Sequence, residues 1–394
     1  MTPAARVQAA IEILDQVIDG AKREGAPADR LVASYFKTRR YAGSKDRRAV
    51  RELVYSAIRV CSEVPANGRA AMLQLASRDD TMASLFDGSA HGPAEIGAGE
   101  HPADGGVAPQ WLMERFAASA LSGEEIAALM DRAPMDIRVN RAKAGDEKLT
   151  LPVGGDDLPL TGALRLPSGM QVEQWDAYRD GLVEVQDLGS QMICAIASQY
   201  AAALTIDLCA GAGGKTLGIA ASLGGNGRII ATDTDRNRLS KLTPRAERAG
   251  VADAVETRLL DPGKELEALS DLKGQADLVL VDAPCSGTGT WRRKPEAKWR
   301  LTPERLEKFA RTQDYLFDLA SQLTKPQGAI GFVTCSLLDE EGKNRIEAFL
   351  ERHPNWKAEP YLQYPLGRPH GQGTRLTPYH DGTDGFFVAM LCSS

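Results

Sequence analysis

Asp207-Leu208-Cys209-Ala210-Gly211-Ala212-Gly213-Gly214-Lys215-Thr216 carries the reading of the whole C-terminal half. An apolar, strand-length run ends at Asp207, turns through three glycines and enters a helix pattern. Four more such runs end at Asp233, Asp261, Asp282 and Ser336. Helix-like stretches lie between them at 216–223, 236–249 and 303–323, and another follows at 340–353. Regular strand-helix alternation implies a doubly wound parallel sheet. A late apolar run, 385–392, reads as an antiparallel edge strand.

Glycines let a backbone approach a ligand closely, and a helix N-terminus offers free N–H groups. Gly214-Lys215-Thr216 ends like a P-loop, but that motif needs glycine where this chain has Cys209. The dinucleotide fingerprint fits Gly211 and Gly213 and fails at Thr216. Asp233 suits the ribose hydroxyls of a dinucleotide or of S-adenosylmethionine, and Asp261 suits an adenine or ribose edge. Each aspartate alone is most simply a helix N-cap. Acids at three consecutive strand ends favour S-adenosylmethionine.

Two cysteines end apolar runs fifty residues apart: Cys285 in Asp282-Ala-Pro-Cys-Ser-Gly-Thr-Gly289, and Cys335 in Thr334-Cys-Ser336. Carbon 5 of a pyrimidine becomes nucleophilic once a thiolate adds at carbon 6. That chemistry needs a thiol, an acid bonded to the ring and a methyl donor. Either cysteine fits the first role and Asp282 the second. A free thiol has a pKa of about 8.5, so its surroundings must help it ionise. Buried structural cysteine is the ordinary alternative, and it is the reading given to Cys61, Cys194 and Cys392.

Six cysteines without a CxxC pair, and five scattered histidines, give neither a disulfide framework nor a metal site. No apolar stretch approaches a membrane span, and 1–19 is an amphipathic helix pattern, not a signal peptide. A reducing cytoplasm is expected. The net charge of −6 argues against nucleic-acid binding through a bulk positive field. Local basic runs remain. Lys37, Arg39, Arg40, Lys45, Arg47, Arg48 and Arg51 read as a solvated face. Arg292, Arg293, Lys294, Lys298 and Arg300 interleave with Trp291 and Trp299, which suits phosphates and unstacked bases.

Upstream, apolar stripes predict three helices within 4–64, among them Val7, Ala10, Ile11, Leu14 and Ile18. The stretch 76–108 reads as a Gly-rich linker, 109–130 as a helix, and 136–140, 164–166 and 182–186 as short strands of a small α/β module.

Residues 181–394 resemble the catalytic domain of the RsmB/NOP/Sun family of RNA 5-cytosine methyltransferases. The carrying segments are Gln186-Asp187, Asp207–Thr216, Asp282–Gly289, Arg292-Arg-Lys-Pro295 with Lys298-Trp299, Thr334-Cys-Ser336 and Asp384-Gly-Phe-Phe387. The resemblance implies a class I methyltransferase Rossmann-like fold. It is preceded by a small α/β RNA-positioning module at 109–180 and an all-helical NusB-like domain at 1–75. It also implies Cys335 as nucleophile and Cys285 as the group that assists breakdown of the adduct. S-adenosyl-L-methionine would be held by Cys209, Ala210, Gly211, Ala212, Gly213, Gly214, Lys215, Asp233, Asp261 and Asp282, and Asp282 would also bond the cytosine. RNA contacts are expected at Arg292, Arg293, Lys294 and Lys298, and at Arg138 and Asn140. The family loop commonly reads Ala-Ala-Pro-Gly-Gly-Lys; without its proline, the loop here is expected to be more flexible yet still to bind.

The expected protein is a cytoplasmic, monomeric enzyme acting on ribosomal RNA, with no metal and no membrane partner. Rivals are a methyltransferase for DNA, whose Pro-Cys nucleophile would be Cys285, or for another RNA, a non-catalytic RNA-binding assembly factor, and a nucleotide hydrolase, which Cys209 disfavours. Adducts formed only on DNA, absent methyl transfer to RNA, or ATP binding without donor binding would distinguish them.

Overall fold

Thr2 starts the first helix. Its hydroxyl accepts from the Ala5 N–H at 3.2 Å, and Pro3, which has no N–H to satisfy, opens the first turn. Helix Pro3–Lys22 buries Val7, Ala10, Ile11, Leu14 and Ile18, the stripe read from sequence. Against it pack Ser44–Val60, through Val50, Val54, Ala57 and Ile58, and Gly68–Ala76, through Ala71 and Met72. Gly68 is required by this packing, because a Cβ there would lie 2.2 Å from the Ile11 carbonyl oxygen.

The structure, a computed structural model, describes residues 1–23, 25–145, 149–359 and 364–393. They divide into two compact units, Met1–Arg132 with Thr290–Pro303, and Ala133–Gly289 with Glu304–Ser394. In the first unit the expected linker 76–108 is packed. Phe86 enters the helical core, Arg69 grips Glu100 at 2.7 Å, and Cys61 bridges to Gly105. One aromatic and one ion pair anchor a stretch whose composition looks loose. The helix expected over 109–130 is two, Gln110–Ala118 and Gly123–Ala128. Ala120, at φ +56, ends the first, and a capping box between Ser122 and Glu125 begins the second.

In the second unit, Met135–Val139 (β1), Asp156–Asp157 (β2), Ala163–Leu166 (β3) and Val183–Val185 (β4) form an antiparallel sheet ordered β2-β3-β1-β4. It shares this compact unit with the main sheet. The main sheet comprises Leu204–Asp207 (β5), Arg228–Asp233 (β6), Val255–Leu259 (β7), Ala276–Asp282 (β8), Thr324–Thr334 (β9), Trp356–Ala358 (β10), Arg368–His370 (β11), Gly373–Leu376 (β12) and Phe386–Ser393 (β13). Its order is β11-β12-β13-β9-β8-β5-β6-β7, with β10 also on β13. Strands β5 to β9 are parallel, as the alternation predicts. Along β8, Leu278 and Leu280 enter one core layer while Val279 and Val281 enter the other. A sheet buried on both faces reads as a continuous apolar run.

Two expectations change. Strand β13 is antiparallel to β9 but is no edge, because β12 and β10 also pair with it. Its unbroken burial from Phe386 to Leu391 is the mark of an interior strand. The helix expected over 236–249 breaks into Arg236–Leu239 and Leu242–Ala249. Pro244 cannot sit in a helix interior, so the second helix begins with the proline in its first turn.

Candidate active site

The strand order reverses between β5 and β8, and the tips of adjoining parallel strands at such a point form a ligand crevice. Asp207, ending β5, is buried and accepts from the Thr216 hydroxyl at 2.6 Å. Burial first, then the charge of Asp282, pushes its carboxyl up to about 7. Gly211 turns with φ +57 and Gly213 with φ +85. The N–H of Gly211 donates to Asp233 Oδ2 at 2.8 Å, and the carbonyl of Ala212 accepts from Arg245 at 2.5 Å. The loop is therefore hydrogen-bonded on both sides of Ala212, where the family proline is missing.

Lys215 follows in the helix Gly214–Ser222. Its Nζ donates to Asp282 Oδ2, at the end of β8, at 2.7 Å. Burial alone would lower its pKa, but the Asp282 carboxylate and, more weakly, Cys335 hold it above the usual lysine value. The ring of Phe386 lies under the ammonium, 5.6 Å from its centroid. Asp187, capping the helix Leu188–Ser198, accepts from the Asp384 N–H at 2.9 Å. The segment Gln186-Asp187 is thereby tied to Asp384–Phe387.

Cys285 Sγ lies 3.3 Å from Cys335 Sγ. The loops after β8 and β9 are held together by the Gly289 N–H on the Cys335 carbonyl at 2.9 Å. Gly289 leaves no room for a side chain, since a Cβ would meet the Gly385 carbonyl oxygen at 2.1 Å. The hydrogen bond with Cys335, burial and nearby negative charge push the Cys285 thiol well above its ordinary value. Cys209 is half-buried at the tip of β5. Desolvation and the carboxylates of Asp207, Asp282 and Asp233 push its thiol well above the usual range.

The structure thus brings together Cys209–Lys215, Asp233, Asp282, Cys285 and Cys335. Asp261 lies exposed beyond β7, with no side-chain hydrogen bond among the described residues. The second basic run is split. Arg293 and Lys294 are exposed, while Arg292, Lys298, Trp291 and Trp299 are buried in the first unit. Lys298 Nζ donates to the Val107 carbonyl at 2.9 Å, Trp291 meets Phe116 edge-on at 5.5 Å, and Trp299 joins the helical core. The interleaved aromatics are packing residues. Asn140 is also buried, donating to the Gly181 and Ala249 carbonyls at 2.9 and 2.8 Å. Arg138 donates to Gln186 at 2.8 Å. Sequence reasoning missed Glu341, Gln313, Ser286 and Ser336, buried behind the cysteines. The one signal for them was the serine following each cysteine.

Among the described residues no cluster of three or more His, Cys, Asp or Glu could hold a metal, and no helix is long and apolar enough to cross a membrane.

A family model described as 16S rRNA methyltransferase RsmB/F matches residues 196–392. The chain is 31% identical over 305 residues to the probable ribosomal RNA small subunit methyltransferase B of Synechocystis, covering 72% of this chain and 66% of that protein. It is 35% identical over 300 residues to ribosomal RNA small subunit methyltransferase B of Xylella fastidiosa, covering 72% and 68%. The chain thus spans about two thirds of the length of the curated relatives it matches. Two crystal structures share the fold. PH0851 has a TM-score of 0.71 at 21% identity over 99% of both chains. NSun6 from Pyrococcus horikoshii, crystallised with SFG, has 0.58 at 22% identity over 72% of this chain and 98% of its own. On the family match and these identities, the chain belongs to the RsmB/F family of 16S rRNA methyltransferases.

Proposed function

We propose that this chain methylates carbon 5 of a cytosine in RNA, with 16S ribosomal RNA as substrate and S-adenosylmethionine as donor. The observation that carries the reading is the pair of thiols 3.3 Å apart beside the Lys215–Asp282 pair. Neither a nucleotide hydrolase nor a non-catalytic scaffold has use for that arrangement.

The residues fit the donor. Gly211 and Gly213 give the loop its left-handed turns. The N-terminus of the helix Gly214–Ser222 suits a carboxylate, and Asp233, at the tip of β6, suits ribose hydroxyls. Bound there, S-adenosylmethionine supplies an electrophilic methyl group. Cys335 adds as thiolate to carbon 6 of the cytosine, and the electron pair moves to carbon 5. Asp282, braced by Lys215 through Oδ2, keeps Oδ1 for the exocyclic amine of the ring. After methyl transfer the proton on carbon 5 leaves to water, and Cys335 is expelled as thiolate. Cys285, held as a neutral thiol, donates its S–H to that departing sulfur and makes it a better leaving group. The same protonation makes Cys285 the poorer nucleophile of the two.

Of the second basic run, Arg293 and Lys294 are exposed, where RNA phosphates can reach them. The target base must leave its stack to reach the crevice. The test incubates the purified chain with unmodified 16S RNA and labelled donor, then maps the product by bisulfite sequencing. Label on carbon 5 of one or a few cytosines is expected. Label on another atom, on DNA alone, or on no RNA overturns the reading.

A further inference from the structure

Cys285 and Cys335 are each followed by serine, and the serines pair as the thiols do. Ser286 Oγ lies 3.2 Å from Ser336 Oγ, and Thr288 Oγ1 lies 3.1 Å from the same Ser336 oxygen. All three are buried, and so is Glu341, at 0% exposure. One oxygen of Glu341 accepts from the Ser286 N–H at 2.9 Å and from Gln313 Nε2 at 3.2 Å. Its other oxygen accepts from the Ser286 hydroxyl. Gln313 also donates to the Pro284 carbonyl at 2.9 Å. On the other loop, the backbone carbonyl of Glu341 accepts from the Thr334 hydroxyl at 3.0 Å. A single residue therefore holds the position just after Cys285 and the position just before Cys335.

We propose that Glu341 is the positioning residue that sets the gap between the two thiols. It touches neither sulfur and acts through Ser286 and Thr334. A buried carboxyl is costly, and an apolar side chain of like volume would commonly serve stability as well. Its two oxygens do what an apolar group cannot, fixing both the backbone and the side chain of Ser286. With Ser286 fixed, the Cα–Cβ direction of Cys285 is set against β9, where Thr334 fixes that of Cys335. Burial pushes the Glu341 carboxyl above its usual value while the Ser286 bonds pull it back, consistent with a group whose hydrogen bonds compensate its placement.

The proposal rests on reading Cys285 and Cys335 as a working pair, and its test does not depend on RNA. Phenylarsine oxide bridges two neighbouring thiols, releasing water, and capture is counted by mass spectrometry. The wild-type chain should take one bridged arsenical that Cys285→Ala does not. Glu341→Ala, folded by circular dichroism, should capture at least about tenfold more slowly, and its methyl-transfer kcat should fall about a hundredfold, the scale of an ångström of misplacement. Its KM for the donor should hold. Glu341→Gln keeps an acceptor for the Ser286 N–H and should restore capture to within about threefold. If Glu341→Ala does not fold, Ser286→Ala, which removes only the hydroxyl links, carries the same comparison. Wild-type capture by whichever variant folds overturns the clamp, and so does a wild type that captures nothing. A wild type that captures the arsenical but methylates no RNA sinks the assigned reaction and leaves the clamp standing.

Discussion

Lys215 Nζ meets Asp282 Oδ2 at 2.7 Å, joining the glycine loop after β5 to the loop after β8. In the proposed reaction the pair spans the point where donor and base meet, so its loss should appear in catalysis before stability. Breaking a fully buried pair costs about 3–5 kcal/mol. Asp282 is 32% exposed, and water can reach it, which brings the figure for Lys215→Met down to about 1–2 kcal/mol. Loss of one preorganised donor costs about 10²–10³ in rate. Lys215→Met should therefore fold, melt a few degrees lower and lose that much kcat/KM. Activity within about threefold of wild type would remove Lys215 from the mechanism.

The two cysteines should separate cleanly. Cys285→Ala retains the nucleophile and loses the hydrogen bond to the departing sulfur, so it should accumulate a covalent RNA adduct, visible on a denaturing gel. Cys335→Ala should form none. The opposite pattern would exchange their roles and place this chain with enzymes that attack through a Pro-Cys thiolate.

Gly213 caps the helix Gly214–Ser222 at φ +85, and a Cβ there would lie 2.0 Å from Leu242 Cδ1. Gly213→Ala combines left-handed strain of about 1–2 kcal/mol with overpacking of about 1–3 kcal/mol. Leu242→Ala alone, at a fully buried position, should cost about 2–5 kcal/mol. Because the small residue makes room for the new methyl, the double variant should fall short of the sum by about 1–2 kcal/mol in urea unfolding. Strict additivity would show that strain, and not the clash, dominates. Donor affinity should weaken in the single and the double variant alike, because Gly213→Ala tilts the loop in both.

What could be read from sequence follows from how locally each feature is encoded. Parallel strands buried on both faces leave continuous apolar runs, so β5, β6, β8 and β9 could be located from the ends of those runs at Asp207, Asp233, Asp282 and Ser336. Gly211 and Gly213 mark their turn because other side chains rarely adopt it. Other features depend on distant partners. The carbonyls that hold Lys298 belong to Arg59 and Val107; backbone acceptors leave no residue signature, so a buried lysine looks like one more exposed cation. Glu341 likewise reads as an acidic residue in a polar turn, Asp339-Glu340-Glu341, until folding brings Ser286 against it. Pro244 is legible as a helix breaker, but the longer apolar stripe around it outweighs that signal.

Lys298 sets a pH dependence in the first unit. Burial lowers its pKa to about 7, with Cys61 opposing and Arg59 assisting the shift. Neutral, the amine still has two N–H donors for the carbonyls of Val107 and Arg59. Below pH 7 folded and unfolded chains both carry the proton. Above it, the unfolded lysine retains a proton that the folded one has released, so stability rises with pH from about 7 toward the ordinary lysine value. Cys61 acts in the opposite sense, because burial raises its thiol to about 11 from 9.0. Between 9 and 11 the folded form holds the extra proton and stability falls, which confines the lysine signal to pH 7–9. Lys298→Met has no proton to gain or lose there. In urea unfolding at pH 6, 7.5 and 9, wild type should gain stability relative to Lys298→Met at each step above 7. The variant should compare best at pH 6, where wild type must bury the charge. A difference between the two that stays flat across this range would mean that the buried ammonium keeps its proton at pH 9.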